Sequence, residues 1–138
     1  MNRRPRLAWH LCVLTVTLAL AVSADASKQF KEKPRMGQAG LYFVNRESED
    51  AHGLVVNLSK KAIVVTDPNT GFAGPFQNIR GKGTTSIEFS NPHPAITPST
   101  DEEGGFNLVF RSYKSGLKIK SYYWTDAKGK RIGKKHSP

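Results

Sequence analysis

Short apolar runs, rich in β-branched and aromatic residues, alternate with polar turns along most of the chain. Several runs place apolar residues at every second position, the period of a half-buried strand. Their β-branched content and short length disfavour helices. The pattern predicts strands at residues 41–44, 53–58, 62–66, 84–90, 106–114, 117–124 and 130–133. About seven short strands without a helix indicate an all-β domain, a single antiparallel β-sandwich, with a small barrel as the alternative.

The clearest strand signal is Phe106–Trp124, which holds two alternating runs around Ser115-Gly116. A two-residue loop at this position predicts a β-hairpin, and it sets which side chains share a face. The face expected to join the core carries Phe106, Leu108, Phe110, Ile119 and Tyr123. The face expected to lie outside carries Val109, Arg111, Tyr113, Lys118, Lys120, Tyr122 and Trp124.

Two segments between the runs are expected to be loops. Residues 72–83 contain several glycines, and their three large apolar residues are expected to tuck this loop against the core. Those residues are Phe72, Phe76 and Ile79. Residues 91–105 contain Pro92, Pro94 and Pro98, which break helices and strands alike, so this segment is expected to be irregular.

The N-terminus has the pattern of a secretory signal peptide. Three arginines near the start precede the apolar run Leu11–Val22, and small residues follow at Ala24 and Ala26. The run is shorter than the roughly 20 residues that span a bilayer, and no later stretch is long and apolar enough. We therefore expect a signal peptide at 1–24 (with 26 as the alternative cleavage position) and a secreted or periplasmic protein. A flexible basic lead at 25–39, a domain at 40–133 and a basic tail at 134–138 complete the predicted organisation.

Size and cysteine content narrow the class of protein. After removal of the signal peptide, about 110 residues remain, enough for one domain with its own core. The single cysteine, Cys12, lies within the signal peptide. The mature chain therefore has no cysteine, which excludes disulfide-stapled scaffolds, cysteine nucleophiles and thiolate metal sites.

Positive charge is concentrated at the C-terminal end. The chain has a formal charge of +10, and removing Arg3, Arg4 and Arg6 lowers it to +7. From Arg111 onward, nine basic residues stand against Asp126 alone, so this segment carries +8. Such asymmetry favours contact with anionic surfaces, although lysines also keep strand edges soluble.

Basic and aromatic side chains share the outer face of the predicted hairpin, and the following residues add more charge. Cations can bind phosphate, sulfate or carboxylate groups, and aromatic rings can stack on sugars or bases. The predicted binding residues are Arg111, Tyr113, Lys118, Lys120, Tyr122, Trp124, Lys128, Lys130 and Arg131. We expect a non-enzymatic binding module that contacts an anionic polymer, glycan or membrane surface. No motif for sequence-specific nucleic-acid recognition is present.

Two other functions stay open. A small ribonuclease-like hydrolase needs a base and an acid close together with a cation, but the spacing of its candidate residues brings none of them together. These candidates are His52, His93, His136, Glu88, Asp101 and Glu103. The other alternative is a purely structural accessory domain.

We predict no cofactor and no metal site, since 101–103 is typical of an acidic turn. Asn57-Leu58-Ser59 is a glycosylation sequon, relevant only in a eukaryotic host.

One segment is similar to a known family. The stretch 100–108, Thr-Asp-Glu-Glu-Gly-Gly-Phe-Asn-Leu, resembles the turn and strand of carboxypeptidase-regulatory-like domains, which are transthyretin-like sandwiches. The glycine turn at 79–83 with the strand 86–89, and the strand start at 116–119, are similar to the same family. The resemblance covers roughly residues 79–120 and implies a seven-stranded sandwich with an accessory role and no activity of its own.

Overall fold

A computed structural model describes residues 36–138. The predicted signal peptide, and the part of the predicted lead up to residue 35, lie outside these residues. The described chain is all-β, with seven antiparallel strands and no helix. The strands are β1 (Gly37–Phe43), β2 (Gly53–Val64), β3 (Phe76–Arg80), β4 (Thr84–Pro92), β5 (Phe106–Ser112), β6 (Ile119–Thr125) and β7 (Arg131–His136). The all-β prediction and the number of strands are confirmed.

The strand β2 is the centre of the sheet. Its first half, Gly53–Asn57, is paired with β4 on one side and β6 on the other, while Ile63 and Val64 are paired with β5. The edges are completed by β1 next to β5, β3 next to β4, and β7 next to β6. A single long strand therefore connects all the other strands.

The predicted break at residues 59–61 does not occur, because tertiary partners satisfy the backbone there. The amide of Ser59 donates to the carbonyl of Lys118 at 2.9 Å, and the hydroxyl of Ser112 donates to the carbonyl of Lys61 at 2.7 Å. Two predicted strands are thus one strand with an irregularity after Asn57.

The predicted hairpin at 106–124 is wrong. The partners of β5 are β1 and the end of β2, whereas β6 is paired with β2 and β7. The Ser115-Gly116 turn lies within a longer connection, residues 113–118, that leads from the partner of the end of β2 to the partner of its first half. The turn motif is a local feature of the sequence, and the pairing of both strands with distant partners outweighs it.

The structure differs from the sequence prediction at three other strands, of which β7 continues to His136 and so includes residues 134–136 of the predicted tail. The sequence predicts a loop at residues 72–83, but β3 forms within it because β4 pairs with this segment and Phe76 is fully buried. Of the three apolar residues expected to cover the core here, Phe76 and Ile79 do so, whereas Phe72 stays exposed. Strand β1 begins at Gly37, so it includes residues 37–39 of the predicted lead.

The core is built from side chains that share one face of β4, β2 and β6. Paired residues across these strands place Phe89, Leu54 and Trp124 in one row, and Ile87, Val56 and Tyr122 in the next. Leu108 and Phe110 of β5 are buried in the same cluster, as predicted, and Phe106 packs against it. Trp124 is 0% exposed, although its indole nitrogen has no hydrogen-bond partner.

In the C-terminal half of β6, the side chains that face the core are the ones predicted to face outward. Ile119 packs on the core as expected, but Tyr123 is paired with Val55 on the other face, and Tyr122 and Trp124 point inward. The cause is a β-bulge, since Asn57 is paired with Ser121 and Leu58 with Ile119, which leaves Lys120 without a partner. One extra residue shifts the two-residue period, and every later side chain changes face.

Aromatic rings connect strands that are not hydrogen-bonded neighbours. Phe43 of β1 contacts Tyr122 of β6 with ring centroids 5.0 Å apart. Phe106 of β5 contacts Phe76 of β3 at 5.5 Å and Trp124 of β6 at 6.1 Å. Edge-to-face contacts of this kind add to the burial energy of each ring.

Candidate functional site

A basic cleft of about 500 Å³ lies where β2 and the connection after β5 meet. We call it the lysine cleft, and its lining residues are Ser59, Lys60, Lys61, Thr85, Ser112, Tyr113 and Lys114. Two lysines come from the continuous part of β2 and one from the connection. Residues far apart in sequence therefore supply one concentrated positive charge.

Hydrogen bonds from backbone amides to serine hydroxyls hold the walls of the lysine cleft. The hydroxyl of Ser59 accepts from the amide of Lys118 at 2.8 Å, and the hydroxyl of Ser112 accepts from the amide of Lys114 at 3.2 Å. Gly116 adopts a positive φ of 77°, which lets the connection turn back toward β2. These bonds fix the backbone on both sides of the lysine cleft.

The electrostatics of the lysine cleft favour anions. None of the described residues that line it is acidic, and three of them are lysines. Tyr113 lies at the rim and is 77% exposed, the largest exposure among the big apolar side chains of residues 36–138. An exposed aromatic ring beside clustered cations is suited to a polymer that carries both charge and flat rings.

Part of the predicted site belongs to this cleft. Tyr113 lines it, and Lys118 is bonded to its wall through Ser59. Lys120 is exposed on the bulge of β6, two residues further along. Arg111 is exposed on β5, where its Nε donates to the Oε1 of Gln38 at 3.4 Å.

The other predicted residues lie elsewhere. Lys128, Lys130 and Arg131 are exposed at the turn between β6 and β7, the opposite end of β6 from Lys118. Seven residues of strand at about 3.3 Å each separate the two groups by roughly 20 Å. The prediction that Trp124 lies on an outer face is wrong, because its side chain is completely buried.

Sequence reasoning did not select Lys60, Lys61 or Lys114. The sequence pattern places the first two in a turn between strands and the third at the tip of a hairpin. The adjacent Lys60-Lys61 pair was the available signal. Whether these two lysines form part of a site depends on which strands lie next to them, and the local pattern does not specify those strands.

A second cleft, of about 300 Å³, lies at the end of β1 and is lined by Tyr42, Val44, Arg46, Glu102, Tyr122 and His136. We call it the histidine cleft. At its wall, the Nε2 of His136 is 2.5 Å from the Oε1 of Glu47. Burial raises the pKa of Tyr122, the carboxylate of Glu47 raises it further, and Arg46 offsets part of the effect.

The acid–base residues proposed for a hydrolase are dispersed. His52 lines a third, polar cleft of about 430 Å³ with Ser90 and Asp126, whereas His136 lines the histidine cleft. The others, His93, Glu88, Asp101 and Glu103, line none of these three clefts. Among these histidines, the one that forms an ion pair with a carboxylate within residues 36–138 is His136, and the carboxylate belongs to Glu47.

Within residues 36–138, no group of three or more His, Cys, Asp or Glu side chains is arranged to hold a metal ion. The same part of the chain contains no helix with the length and apolar character needed to cross a bilayer. In comparisons with known proteins, no family model, no curated protein and no solved structure matches this chain.

Proposed function

We propose that this protein is an exported domain that binds an anionic polymer or surface through the lysine cleft. The observation that carries the proposal is the convergence of Lys60, Lys61 and Lys114 on one cleft beside Tyr113. Like charges are held together only at a cost, which an anionic ligand relieves. The N-terminal signal pattern supports an extracytoplasmic location, where acidic glycans, cell-wall polymers, lipid headgroups and free nucleic acid are available.

Lysine rather than arginine dominates the lysine cleft, and this affects the selectivity that we expect. The lysine ammonium is a point charge on a flexible stem and does not impose the bidentate geometry of a guanidinium. We therefore infer that binding depends mainly on charge density and salt concentration rather than on one ligand geometry. The rim position of Tyr113 adds stacking on sugar rings or bases.

We also infer that the strands form a β-sandwich. Contacts between aromatic rings of unpaired strands, such as Phe89 with Phe110 and Phe43 with Tyr122, are typical of two sheets that share a core. The resemblance of residues 79–120 to carboxypeptidase-regulatory-like domains implies the same arrangement. An accessory binding role also agrees with that resemblance.

The binding proposal is tested by retention on immobilised heparin with increasing salt. We compare the wild type with a triple variant, Lys60→Ala, Lys61→Ala and Lys114→Ala. The matched control replaces Lys128, Lys130 and Arg131 with alanine, which removes the same formal charge from the other end of β6. We expect the lysine-cleft variant to elute at clearly lower salt than the control.

A quantitative form of this test uses a single-stranded oligonucleotide. Each phosphate contact contributes a slope of about −0.7 to the logarithm of affinity against the logarithm of salt concentration. Loss of three contacts should therefore reduce the slope by about 2. An equal effect in both triple variants would show that net charge alone drives retention, and the proposed site would be abandoned.

A further inference from the structure

The histidine cleft contains the most closely engaged pair of ionisable side chains among the described residues. The Nε2 of His136 and the Oε1 of Glu47 are 2.5 Å apart, and the two side chains are only 21% and 12% exposed. They come from the last strand and from the loop after β1, separated by 89 positions in the chain. The fold, rather than local sequence, brings them together.

The surrounding backbone holds Glu47 in place. Asn45 is fully buried, and its side-chain amide donates to the carbonyls of Glu49 and Ile96 at 2.8 and 2.9 Å. Its Oδ1 accepts from the amide of Glu47 at 3.0 Å. On the other side, the carboxylate lies against Gly133, where a Cβ atom would collide with it. The position of this carboxylate is therefore set before any ligand binds.

The pairing with Glu47 determines which nitrogen of His136 can accept a proton. When Nε2–H donates to the carboxylate, the neutral ring keeps its lone pair on Nδ1, and the negative charge stabilises the ring once Nδ1 is protonated. The ring of Tyr122 stacks on the imidazole with centroids 5.0 Å apart and planes inclined by 20°. Both rings therefore border the cleft with a fixed separation.

Tyr122 adds a proton donor to the histidine cleft, and Arg46 adds a cation. The phenol of Tyr122 lines the cleft and carries its proton at neutral pH, as a tyrosine does, so its hydroxyl can donate that proton. Arg46 lines the same cleft, and its Nη1 donates to the carbonyl of Thr100 at 2.8 Å. Two exposed lysines, Lys134 and Lys135, precede His136 on β7.

We propose that the histidine cleft cleaves RNA by transesterification, with His136 as the base, Tyr122 as the acid and Arg46 as the cation that contacts the phosphate. The proposal rests on the proposed function, because it selects RNA among the anionic polymers that the lysine cleft would hold. RNA fits this set because it supplies its own nucleophile, the 2′-hydroxyl, and so needs only a base, an acid and a cation from the protein.

The transesterification proceeds by the following bond changes and proton transfers. The Nδ1 of His136 takes the proton of the 2′-hydroxyl, and the 2′-oxygen forms a bond to phosphorus. The bond from phosphorus to the 5′-oxygen breaks, and that oxygen takes the proton of the Tyr122 hydroxyl. The guanidinium of Arg46 stabilises the added negative charge on the phosphorane. The products are a 2′,3′-cyclic phosphate and a 5′-hydroxyl, and transfer of the proton from His136 to Tyr122 through water restores the site.

The carboxylate of Glu47 acts through His136, so Glu47 is a positioning residue. Glu102 also lines the cleft, at its exposed rim, and its backbone carbonyl accepts a hydrogen bond from Tyr42. A single phosphodiester carries one charge, which Arg46 can balance. Longer stretches of the polymer would be held by Lys118, Lys120 and the lysine cleft.

The test uses the full-length exported protein with a short RNA of defined sequence and the DNA of the same sequence. The wild type should cleave the RNA to 2′,3′-cyclic phosphate ends and leave the DNA intact, because DNA lacks the nucleophile. His136→Gln and Tyr122→Phe should each lower the rate by about 100-fold or more, the size of a general acid–base contribution. His93→Gln, purified in the same way, should keep the full rate.

Glu47→Gln keeps an acceptor for Nε2–H and removes the charge, so kcat should fall while KM and the thermal midpoint stay near the wild-type values. An intact RNA after incubation with the wild type, equal cleavage by His136→Gln, or cleavage of the DNA would each overturn the proposal. Retention on heparin distinguishes failure of the catalytic proposal from failure of the proposed binding function. A protein that is retained but does not cleave contradicts only the catalytic proposal, and one that cleaves without retention contradicts only the lysine cleft.

Discussion

At the scale of single residues, Tyr122 and Trp124 show how a local pattern can be correct about residue type and wrong about direction. Both were expected on an outer face with lysines. Trp124 is completely buried, and Tyr122 packs against Phe43 on one side and stacks on His136 on the other. Two aromatic residues that seemed to offer a binding surface instead belong to the core and to the wall of the histidine cleft.

The raised pKa of Tyr122 gives a prediction about alkaline stability. In the unfolded chain this tyrosine loses its proton near its ordinary pKa of 10, whereas in the folded protein it keeps the proton to higher pH. The unfolded state therefore binds fewer protons above pH 10, and the stability contributed by neutral Tyr122 is lost as pH rises through the folded-state pKa. Below pH 10 the contribution is fully present.

Urea unfolding at pH 8, 10 and 11 measures this effect. Tyr122→Phe should lose less stability between the two higher pH values than the wild type does. Tyr113→Phe is the matched control, because Tyr113 is 77% exposed and should leave the pH dependence unchanged. Equal pH dependence in the wild type and Tyr122→Phe would contradict the prediction.

At the scale of elements, the bulge in β6 is the feature that most altered the sequence prediction. Alternation correctly identified the strand, and it correctly assigned Ile119 to the core. One residue without a partner, Lys120, then reversed the faces of all later residues. Nothing in the order of apolar and polar residues distinguishes a bulge from regular alternation when, as here, both faces carry aromatic side chains.

Deletion of Lys120 tests the role of the bulge. Asn57 would remain opposite Ser121 and Leu58 opposite Ile119, now as consecutive pairs, so every inward side chain keeps its place. We expect a change in the free energy of unfolding of about 1 kcal/mol or less, as for an exposed substitution.

Deletion of Tyr123 is the comparison for this prediction. It would bring Tyr122 and Trp124 next to each other, so that one of them must leave the core. The loss should be about 3–5 kcal/mol, the usual effect of removing a buried aromatic side chain. Chemical denaturation of both deletion variants measures the difference. Comparable losses in the free energy of unfolding of the two deletion variants would show that Lys120 itself stabilises the fold.

At the scale of the whole molecule, charge is distributed more specifically than the sequence total suggests. The segment from Arg111 onward carries +8, yet its basic residues are distributed over the end of β5, both ends of β6 and the strand β7. Lys60 and Lys61, from the less charged half of the chain, join Lys114 in the lysine cleft. A concentrated site therefore arises from the fold, and net charge alone would have missed two of its three lysines, Lys60 and Lys61.

Export is the prediction that concerns the entire chain. When the full sequence is expressed in a secretion-competent host, we expect a product in the periplasm or medium that begins at Asp25 or Ser27. The reason is that small residues at Ala24 and Ala26 follow an apolar run too short to remain as an anchor. Intact mass and N-terminal sequencing measure the result. A membrane-bound product that retains Met1 would contradict it.

The sequence by itself determined the fold class, most strand positions and the all-apolar side of β5, because these depend on a two-residue period and on β-branched content within a few positions. It also predicted Tyr113 and Lys118 as members of a basic–aromatic site. Only the tertiary structure decided which strands pair, that residues 53–64 form one strand, and that β6 contains a bulge. The lysine cleft and the Glu47–His136 pair arose at the same level, since both join residues more than 50 positions apart. Such contacts depend on partner strands competing across the whole chain, which no local pattern contains.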